Sequence, residues 1–290
     1  MKDSLGRKIF KIINISIIVI FIFLTVYPFL QVVAESFSSE AMIRGGHVNV
    51  IPRGFNVNTY RALMSDEIFW LNYRNTLIIT VASTALSMFL TTTAAYALSK
   101  KDLAGRSLLL FLFAFTMFFG GGIIPLFLLV NRFLGWENNL LSVIVPGALG
   151  IFNLLIMKTF FENLPKELEE AAAIDGLSQL GILVKIILPL SKAVIATQIL
   201  FYAVGNWNAW FGARLFLPDR TLQPVAMYLR NLVAAATTLT SEMVAAGAEQ
   251  GNVNHNVQAV AMVLVTAPIV CAYPFAQKHF VAGITLGSVK

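Results

Sequence analysis

A group of aromatic and amide side chains near residue 205 has the composition of a sugar-binding surface. The group comprises Tyr202, Asn206, Trp207, Asn208 and Trp210. Aromatic rings stack on the apolar faces of sugars, and amides exchange hydrogen bonds with hydroxyl groups. We therefore predict that these residues line a saccharide path. The alternative is that they join neighbouring helices, as polar groups do inside membranes.

The helix that must position this group is apolar, and its polar residues have a regular spacing. Gln198, Tyr202, Asn206 and Trp210 recur every four residues and therefore share one face of a helix. Asn206 and Asn208 lie about 200° apart around such a helix, so a single neighbour cannot cover both. We expect protein or water on most sides of this part of the helix.

A second candidate site is the polar stretch 162–191, which interrupts the apolar runs. Asn163 can cap a helix that starts near Pro165, and Gly176 provides a left-handed stop. This helix is amphipathic and too short to cross a bilayer. We expect it to lie at the membrane surface.

The residue types in this stretch suit a surface onto which another protein docks. Ala171, Ala172 and Ala173 permit close approach, and neighbouring acidic side chains can orient a partner. A second helix should begin at Ser178 and end by Pro189. The alternative is an ordinary polar loop between two membrane spans.

The composition predicts an all-α integral membrane bundle. Of 290 residues, 57% are hydrophobic and 12% are charged, whereas about 25% are charged in soluble domains. Six apolar runs without Asp, Glu, Lys or Arg are long enough to span a bilayer. They are Ile12 to Ala34, Asn75 to Ser99, Ser107 to Asn131, Asn138 to Met157, Ala193 to Ala213 and Val257 to Gln277. We predict a six-span domain over 12–277, with cytosolic segments at 1–11 and 278–290.

The first run also follows basic residues, as a signal peptide does. It is longer than the usual hydrophobic region of about 7 to 15 residues, which favours a retained span.

Charge predicts the orientation. With both termini inside, the cytosolic segments carry 13 of the 21 Lys and Arg, including all 11 Lys, and the outside segments carry eight Arg. This asymmetry follows the positive-inside rule and places both termini in the cytoplasm. The basic excess then faces anionic membrane lipid and requires no nucleic acid.

A stripe of hydroxylated residues in the second run should face protein or water. Its members follow helical spacing: Thr76, Thr80, Ser83, Thr84, Ser87 and Thr91. They can pack against a neighbouring helix or form one wall of a solute path.

Two other function classes lack the residues they need. An ion-coupled secondary transporter usually carries ionisable residues inside its spans, and an intramembrane enzyme needs a nucleophile with its base or a metal set. The single cysteine, Cys271, and the separated His47, His255 and His279 form no ligand motif, and no Walker A sequence occurs. We predict no catalytic residue, metal or cofactor in this chain.

The stretch 162–191 matches a known signature. Glu170-Ala171-Ala172, three residues, Gly176, nine residues, Ile186, one residue and Leu188-Pro189 resembles the EAA motif of ABC importer permeases. The resemblance implies the type I importer permease fold. It also implies an ATPase-coupling loop made by Glu170, Ala171, Ala172, Asp175, Gly176, Leu188 and Pro189.

Further segments resemble the maltose-transporter class of carbohydrate importers, from about Asn56 to Lys290. Asn75-Thr76-Leu77 and residues 95–100 resemble the edges of the permease core. Residues 120–125, Gly-Gly-Gly-Ile-Ile-Pro, resemble a branch associated with complex oligosaccharides. This segment should break or kink the third span, either as a gate or as a site of close packing.

The resemblance implies a permease subunit that imports an oligosaccharide by alternating access. It implies three partners: a second homologous permease or a second copy, a dimeric cytosolic ABC ATPase that binds ATP and magnesium, and an extracytoplasmic solute-binding protein. The loop 214–256 is expected to reach toward the binding protein. The alternatives are a permease for another solute and an ion-coupled secondary transporter.

Overall fold

The computed structural model describes residues 5–245 and 255–287, and within these ranges it contains helices and no strand. The α-helices are α1 (Leu5–Ser36), α2 (Glu40–Arg44), α3 (Asn58–Met64), α4 (Glu67–Ser99), α5 (Arg106–Phe118), α6 (Ile123–Leu128), α7 (Leu141–Ile144), α8 (Ile151–Glu162), α9 (Lys166–Ile174), α10 (Gln179–Ile182), α11 (Leu188–Leu190), α12 (Lys192–Trp207), α13 (Phe211–Phe216), α14 (Val225–Ala245) and α15 (His255–Gly287). Two π-helical turns, Leu129–Phe133 and Leu183–Ile187, follow α6 and α10. The predicted all-α class is confirmed.

Parts of the predicted terminal segments 1–11 and 278–290, and of the predicted outside loop 214–256, lie outside the described residues.

The chain divides into two compact units, with boundaries at Phe69–Trp70, Tyr228–Leu229 and Ala267–Pro268. In the first unit, the start of α15 is tied to the segment that follows α1. Asn256 donates its side-chain amide to the carbonyls of Glu35, Ser36 and Ser38, and the Glu40 carboxylate accepts from the backbone N–H groups of residues 255 and 256. A carboxylate at a helix N-terminus satisfies otherwise unpaired donors there.

The second unit is organised around α4 and contains both candidate sites. Its main core lies where the end of α4 meets α8, α9 and α10. The fully or nearly buried members of this core are Ala95, Tyr96, Leu98, Leu154, Met157, Phe161, Ala172, Ile182, Leu183 and Ile187. Because α4 contains no Gly or Pro, it runs for 33 residues without a break.

Three helices are long and apolar enough to cross a membrane within the described residues: Gly6–Ser36, Glu67–Ser99 and His255–Ala272. A bent pair, Arg106–Phe118 with Ile123–Phe133, turns by 106° at the glycine segment. Gly122 there has φ +85°, a conformation that glycine adopts without a steric penalty. The break predicted from the three glycines and the proline is confirmed.

Two further expected spans, the fourth and the fifth, are not single helices. The fourth consists of α7 and α8, which are separated by residues 145–150, where Pro146 lacks an N–H group and Gly147 has φ +78°. The fifth ends at Trp207, and α13 begins after three residues. A second bent pair, Gln179–Leu190 with Lys192–Trp207, turns by 86°. The count of six spans therefore stays a prediction.

Candidate docking helix and candidate solute path

The helix expected near Pro165 is α9, and its ends differ in how well they were predicted. Pro165 itself precedes the first turn and no side chain caps this end. The expected Asn163 cap is wrong, because Asn163 instead terminates α8. At the other end Gly176 has φ +82°, and its N–H donates to the Ala173 carbonyl at 3.0 Å. The predicted left-handed stop is confirmed.

The second helix of the stretch begins as predicted and continues further than predicted. The Ser178 hydroxyl accepts from the Gly181 N–H at 3.2 Å, which is a side-chain N-cap. The chain then passes through the π-helical turn and remains helical to Leu190, one residue beyond Pro189. Pro189 lies in the first turn of α11, where its missing N–H is tolerated. The expectation that helix ends by Pro189 is therefore wrong.

The faces of α9 have opposite environments. Ala172 is 5% exposed and packs in the core of the second unit, so a partner cannot contact it. Its neighbours Ala171 and Ala173 are exposed. The outward face is formed by Glu170, Ala171 and Ala173, and by Ile174, which is 87% exposed. Of the other predicted coupling residues, Asp175, Gly176 and Pro189 are exposed and Leu188 is half-buried. The expectation of three available alanines is corrected to two.

The inward side of α9 is held by charge. The Lys100 ammonium forms an ion pair with the Glu169 carboxylate and lies 4.3 Å from the centroid of the Tyr96 ring. The Tyr96 hydroxyl donates to Oε1 of Gln179 at 3.0 Å. Burial lowers the pKa of Lys100, although Asp102 opposes this shift.

A second charged cluster joins the start of α5 to the end of α8. Glu162 forms ion pairs with Arg106 and, at 2.8 Å, with Lys158. Desolvation acts to raise the pKa of the Glu162 carboxyl, but the two cations outweigh it and the pKa is lowered. A cavity of about 430 Å³ lies beside both clusters and is lined by Lys100, Glu162, Glu169 and Gln179, among others. The pairs of Lys100 with Glu169 and of Arg106 with Glu162 were not predicted, because their partners are far apart in the sequence. The Lys158–Glu162 pair has the i, i+4 spacing of a helix and was a local signal that sequence reasoning missed.

Tyr202, the first predicted path residue, is buried against two other elements. Its hydroxyl shares a 2.7 Å hydrogen bond with the Thr91 hydroxyl and accepts from the Gly150 N–H at 3.2 Å. A Cβ atom at Gly150 would lie 3.1 Å from the Tyr202 hydroxyl, so glycine permits this approach. Tyr202 thus fixes the position of α12 against α4 and α8.

Asn206 and Trp207 lie one turn further along α12. Asn206 donates from Nδ2 to the Thr84 hydroxyl at 3.3 Å. Trp207 is 6% exposed and packs edge-on against Tyr73, with 5.6 Å between ring centroids. Since Thr84 and Thr91 both belong to the predicted hydroxyl stripe, that stripe meets α12, as the packing interpretation expects.

The last two predicted path residues lie beyond the regular part of α12. Asn208 terminates the helix, is exposed, and donates to the Val204 carbonyl at 2.9 Å. Trp210 precedes α13 and packs against Phe211, with 5.6 Å between ring centroids. The helical face expected from Gln198 to Trp210 therefore ends before Trp210 is reached.

A cavity of about 520 Å³ lies beside this part of α12. Asn206 lines it together with Gly122, from the break in the third span, and Ser142, from α7. Ala209 and Phe211 also line it. Sequence reasoning missed the contribution of α7, although the dipeptide Pro146-Gly147 was a local signal for the break that shapes this wall. The cavity contains an amide, a hydroxyl and an aromatic ring, which suits a neutral polyhydroxylated solute.

Residues 87–286 match the family model of the binding-protein-dependent transport system inner membrane component. The chain belongs to this family. Its members are permease subunits and not enzymes, and the chain is accordingly a multi-pass membrane protein of a binding-protein-dependent transport system.

Similar proteins cover almost the whole permease chain. It is 40% identical to the polygalacturonan/rhamnogalacturonan transport system permease protein YtcP of Bacillus subtilis, over 98% of this chain and 99% of that protein. It is also 40% identical to Protein LplC of the same organism, over 100% and 98% of the two chains. A solved structure of a bacterial ABC transporter involved in import of the acidic polysaccharide alginate contains a similar chain. That chain is 31% identical with a TM-score of 0.85, over 97% of this chain and 99% of the other.

Proposed function

We propose that this permease carries an oligosaccharide into the cytoplasm by alternating access, driven by ATP hydrolysis in a partner subunit. The observation that carries the proposal is the two-sided environment of α9. Its outward face exposes Glu170, Ala171 and Ile174, while Ala172 and Glu169 hold the inward face to the permease core. A helix that is exposed on one side and anchored on the other can receive a force and pass it on.

The proposed assembly contains three kinds of partner. A dimeric cytosolic ABC ATPase holds ATP and magnesium and receives α9, and a second homologous permease completes the path. An extracytoplasmic solute-binding protein delivers the solute. The exposed apolar surface of Gly6–Ser36 suits membrane lipid or the second permease. The proposed domain extends over 12–277, and segments 1–11 and 278–290 lie in the cytoplasm.

The proposed coupling surface consists of the motif residues on and after α9. They are Glu170, Ala171, Ala172, Asp175, Gly176, Leu188 and Pro189, of which Ala172 acts from inside by anchoring the helix.

The proposed solute path passes the cavity beside α12. Asn206 lines this cavity directly, and Asn208 and Trp210 extend the polar and aromatic surface beyond the helix. Tyr202 and Trp207 are buried, so their part in the path is to hold this surface in place. The relative named for polygalacturonan and rhamnogalacturonan makes fragments of these pectic polysaccharides the first solutes to test.

Substitution at the turn after α9 tests the docking proposal. Gly176→Leu forces a side chain into a left-handed conformation, which costs roughly 1–2 kcal/mol, and adds bulk at the exposed turn. We expect loss of ATPase assembly or of coupled transport, and Glu170→Lys should weaken docking by reversing an exposed charge. Gly176→Asn is the matched control, because asparagine tolerates this conformation. Normal assembly and full transport by both Gly176→Leu and Glu170→Lys would refute docking through α9.

The proposed orientation is tested by thiol labelling in a Cys271→Ser background. Ser38 follows the first apolar run and is therefore expected outside, but it is unsuitable as a probe because it is buried and bonded to Ala34 and Arg53. Ala248, in the expected outside loop 214–256, lies outside the described residues. Asn49 is exposed and serves as the outside probe, and Ser178, in the stretch 162–191, is exposed and serves as the cytosolic probe. An impermeant reagent added to intact cells should label Asn49→Cys and leave Ser178→Cys unlabelled; the reverse pattern would invert the topology.

A further inference from the structure

Two adjacent glutamates on α9 have different environments. Glu170 belongs to the outward face and has no ion pair within the described part of the chain. Glu169 is turned about 100° around the helix and binds Lys100. The docking motif explains an exposed Glu170 but does not require Glu169 to be paired, so the Lys100–Glu169 contact needs its own explanation.

Lys100 follows directly on the last residue of α4, so this ion pair joins the docking helix to the end of α4. The bond from Tyr96 to Gln179 joins α4 to α10, the helix after the docking turn. Lys100 also contacts the Tyr96 ring, which links the two connections to each other. We name these four residues the α4 joint: Tyr96, Lys100, Glu169 and Gln179.

Along its middle, α4 also contacts α12. Thr91 bonds Tyr202 at 2.7 Å, and Thr84 bonds Asn206 at 3.3 Å. Asn206 lines the cavity proposed as the solute path. The helix α4 thus touches the docking helix at one end and the cavity-lining helix along its middle.

The stiffness of α4 makes it suitable for transmitting movement. It is about 50 Å long by the rise of an α-helix, and it contains no Gly or Pro. By contrast, the segments α5–α6 and α10–α12 are sharply bent at breaks. Displacement of α9 that acts through the bent segment α10–α12 can be absorbed at its 86° bend, whereas α4 has no break to absorb it.

We propose that the α4 joint transmits the movement of the docking helix to the solute path, with Lys100 and Glu169 as positioning residues that make α4 move with α9. This inference rests on the proposed docking of α9 to an ATPase. It assigns Glu169 to transmission inside the permease and leaves Glu170 to the partner.

Charge exchange in the reconstituted complex tests the proposal. The readout is the ATP-dependent change in the rate at which an impermeant thiol reagent labels Ala209→Cys, an exposed residue lining the cavity, in a Cys271→Ser background. Lys100→Glu and Glu169→Lys should each reduce this change about fivefold or more, the lower range of coupling between sites. The double variant Lys100→Glu/Glu169→Lys should restore it, since it re-forms the pair with opposite polarity.

Two further variants separate transmission from general damage. Lys101→Glu makes the same charge change at the next residue, which is exposed, and should leave labelling unchanged. Glu169→Gln removes the charge but keeps the side-chain shape, and it should also reduce the labelling response. This variant provides the test if the charge reversals fold poorly. The amount of ATPase subunit that copurifies with the permease is measured in parallel, and it should stay at the wild-type level in every variant.

Several results would overturn the proposal. They are an unchanged response in Lys100→Glu and Glu169→Gln, a failure of the double variant to restore it, and loss of the ATPase from the Glu169 variants. The labelling readout needs no knowledge of the solute. A wild-type complex that responds to ATP but imports no saccharide would therefore contradict the substrate assignment alone, whereas a wild-type complex without any response would contradict both proposals.

Discussion

The contacts of α4 with α9 and with α12 use different chemistry. At its C-terminal end the contact with α9 is an ion pair, and a second charged cluster lies nearby around Glu162. Along its middle, the contacts with α12 are neutral bonds between hydroxyls and an amide. Unpaired charge is costly at membrane depth, whereas neutral polar bonds there contribute only about 0.6 kcal/mol on average. The ion pairs therefore lie at the end of α4 that is expected at the membrane surface, and the contacts within the expected span are neutral.

The largest expected effect is at the α12 contact. Trp207→Ala removes a buried ring that packs on Tyr73 and should destabilise the protein by about 3–5 kcal/mol. Thermal unfolding in detergent measures the loss. Trp210→Ala is the control, because Trp210 is only half-buried and should cost less. Equal effects would show that α12 is not held more firmly than the segment after it.

A second substitution tests whether a buried amide on α12 lacks hydrogen-bond partners in solution. Gln198 is 0% exposed and both atoms of its amide lack hydrogen-bond partners within the described residues. An unsatisfied buried group costs about 1–3 kcal/mol, so Gln198→Met should raise the unfolding temperature. Gln223→Met should lower it, because the Gln223 amide donates to the Leu217 carbonyl at 2.9 Å. A fall in both variants would mean that Gln198 is satisfied in solution.

Substitutions at Asn206 and Thr84 distinguish a role of Asn206 in the solute path from a role in helix packing. Asn206→Ala removes both the bond to Thr84 and the amide that lines the cavity, and should lower transport per intact complex. Thr84→Val removes the same bond but leaves the amide in the cavity wall. It should lower the free energy of unfolding by about 1 kcal/mol and should reduce transport less than Asn206→Ala does. Uptake into proteoliposomes, normalised to assembled complex, is the measurement. An equal loss of transport in the two variants would make Asn206 a packing residue.

The sequence predicted features that are set locally. The Gly176 stop, the Ser178 cap and the break at residues 120–125 each depend on residues within one or two turns. The Lys100–Glu169 pair was not predictable from spacing, since its partners are 69 positions apart. Periodicity also could not show that Ala172 faces the permease core, because helical spacing defines a face but not the neighbour of that face. The π-helical turn Leu183–Ile187 carries the chain past Pro189, and no residue type in that turn indicated it.

The smallest expected effect is at the charged cluster around Glu162. Lys158 and Arg106 hold the pKa of Glu162 below the usual glutamate value, so the paired carboxylate stabilises the fold above that value. Glu162→Gln should cost about 1 kcal/mol or less near neutral pH. The difference from wild type should shrink as the pH falls below about 4.3, where the carboxyl of the unfolded chain becomes protonated. Unfolding temperatures measured across this range would contradict the assignment if the difference stayed constant.

Uptake by the complete transporter directly tests ATP-driven import of an oligosaccharide. The permease is reconstituted with its permease partner, ATPase and solute-binding protein, and import of a pectic oligosaccharide into proteoliposomes is followed over time. We expect saturable uptake that requires both ATP and the binding protein. Gly176→Leu should abolish this uptake, and Gly176→Asn should retain it. Uptake that continues without the ATPase and follows an imposed ion gradient would contradict the account and identify an ion-coupled transporter.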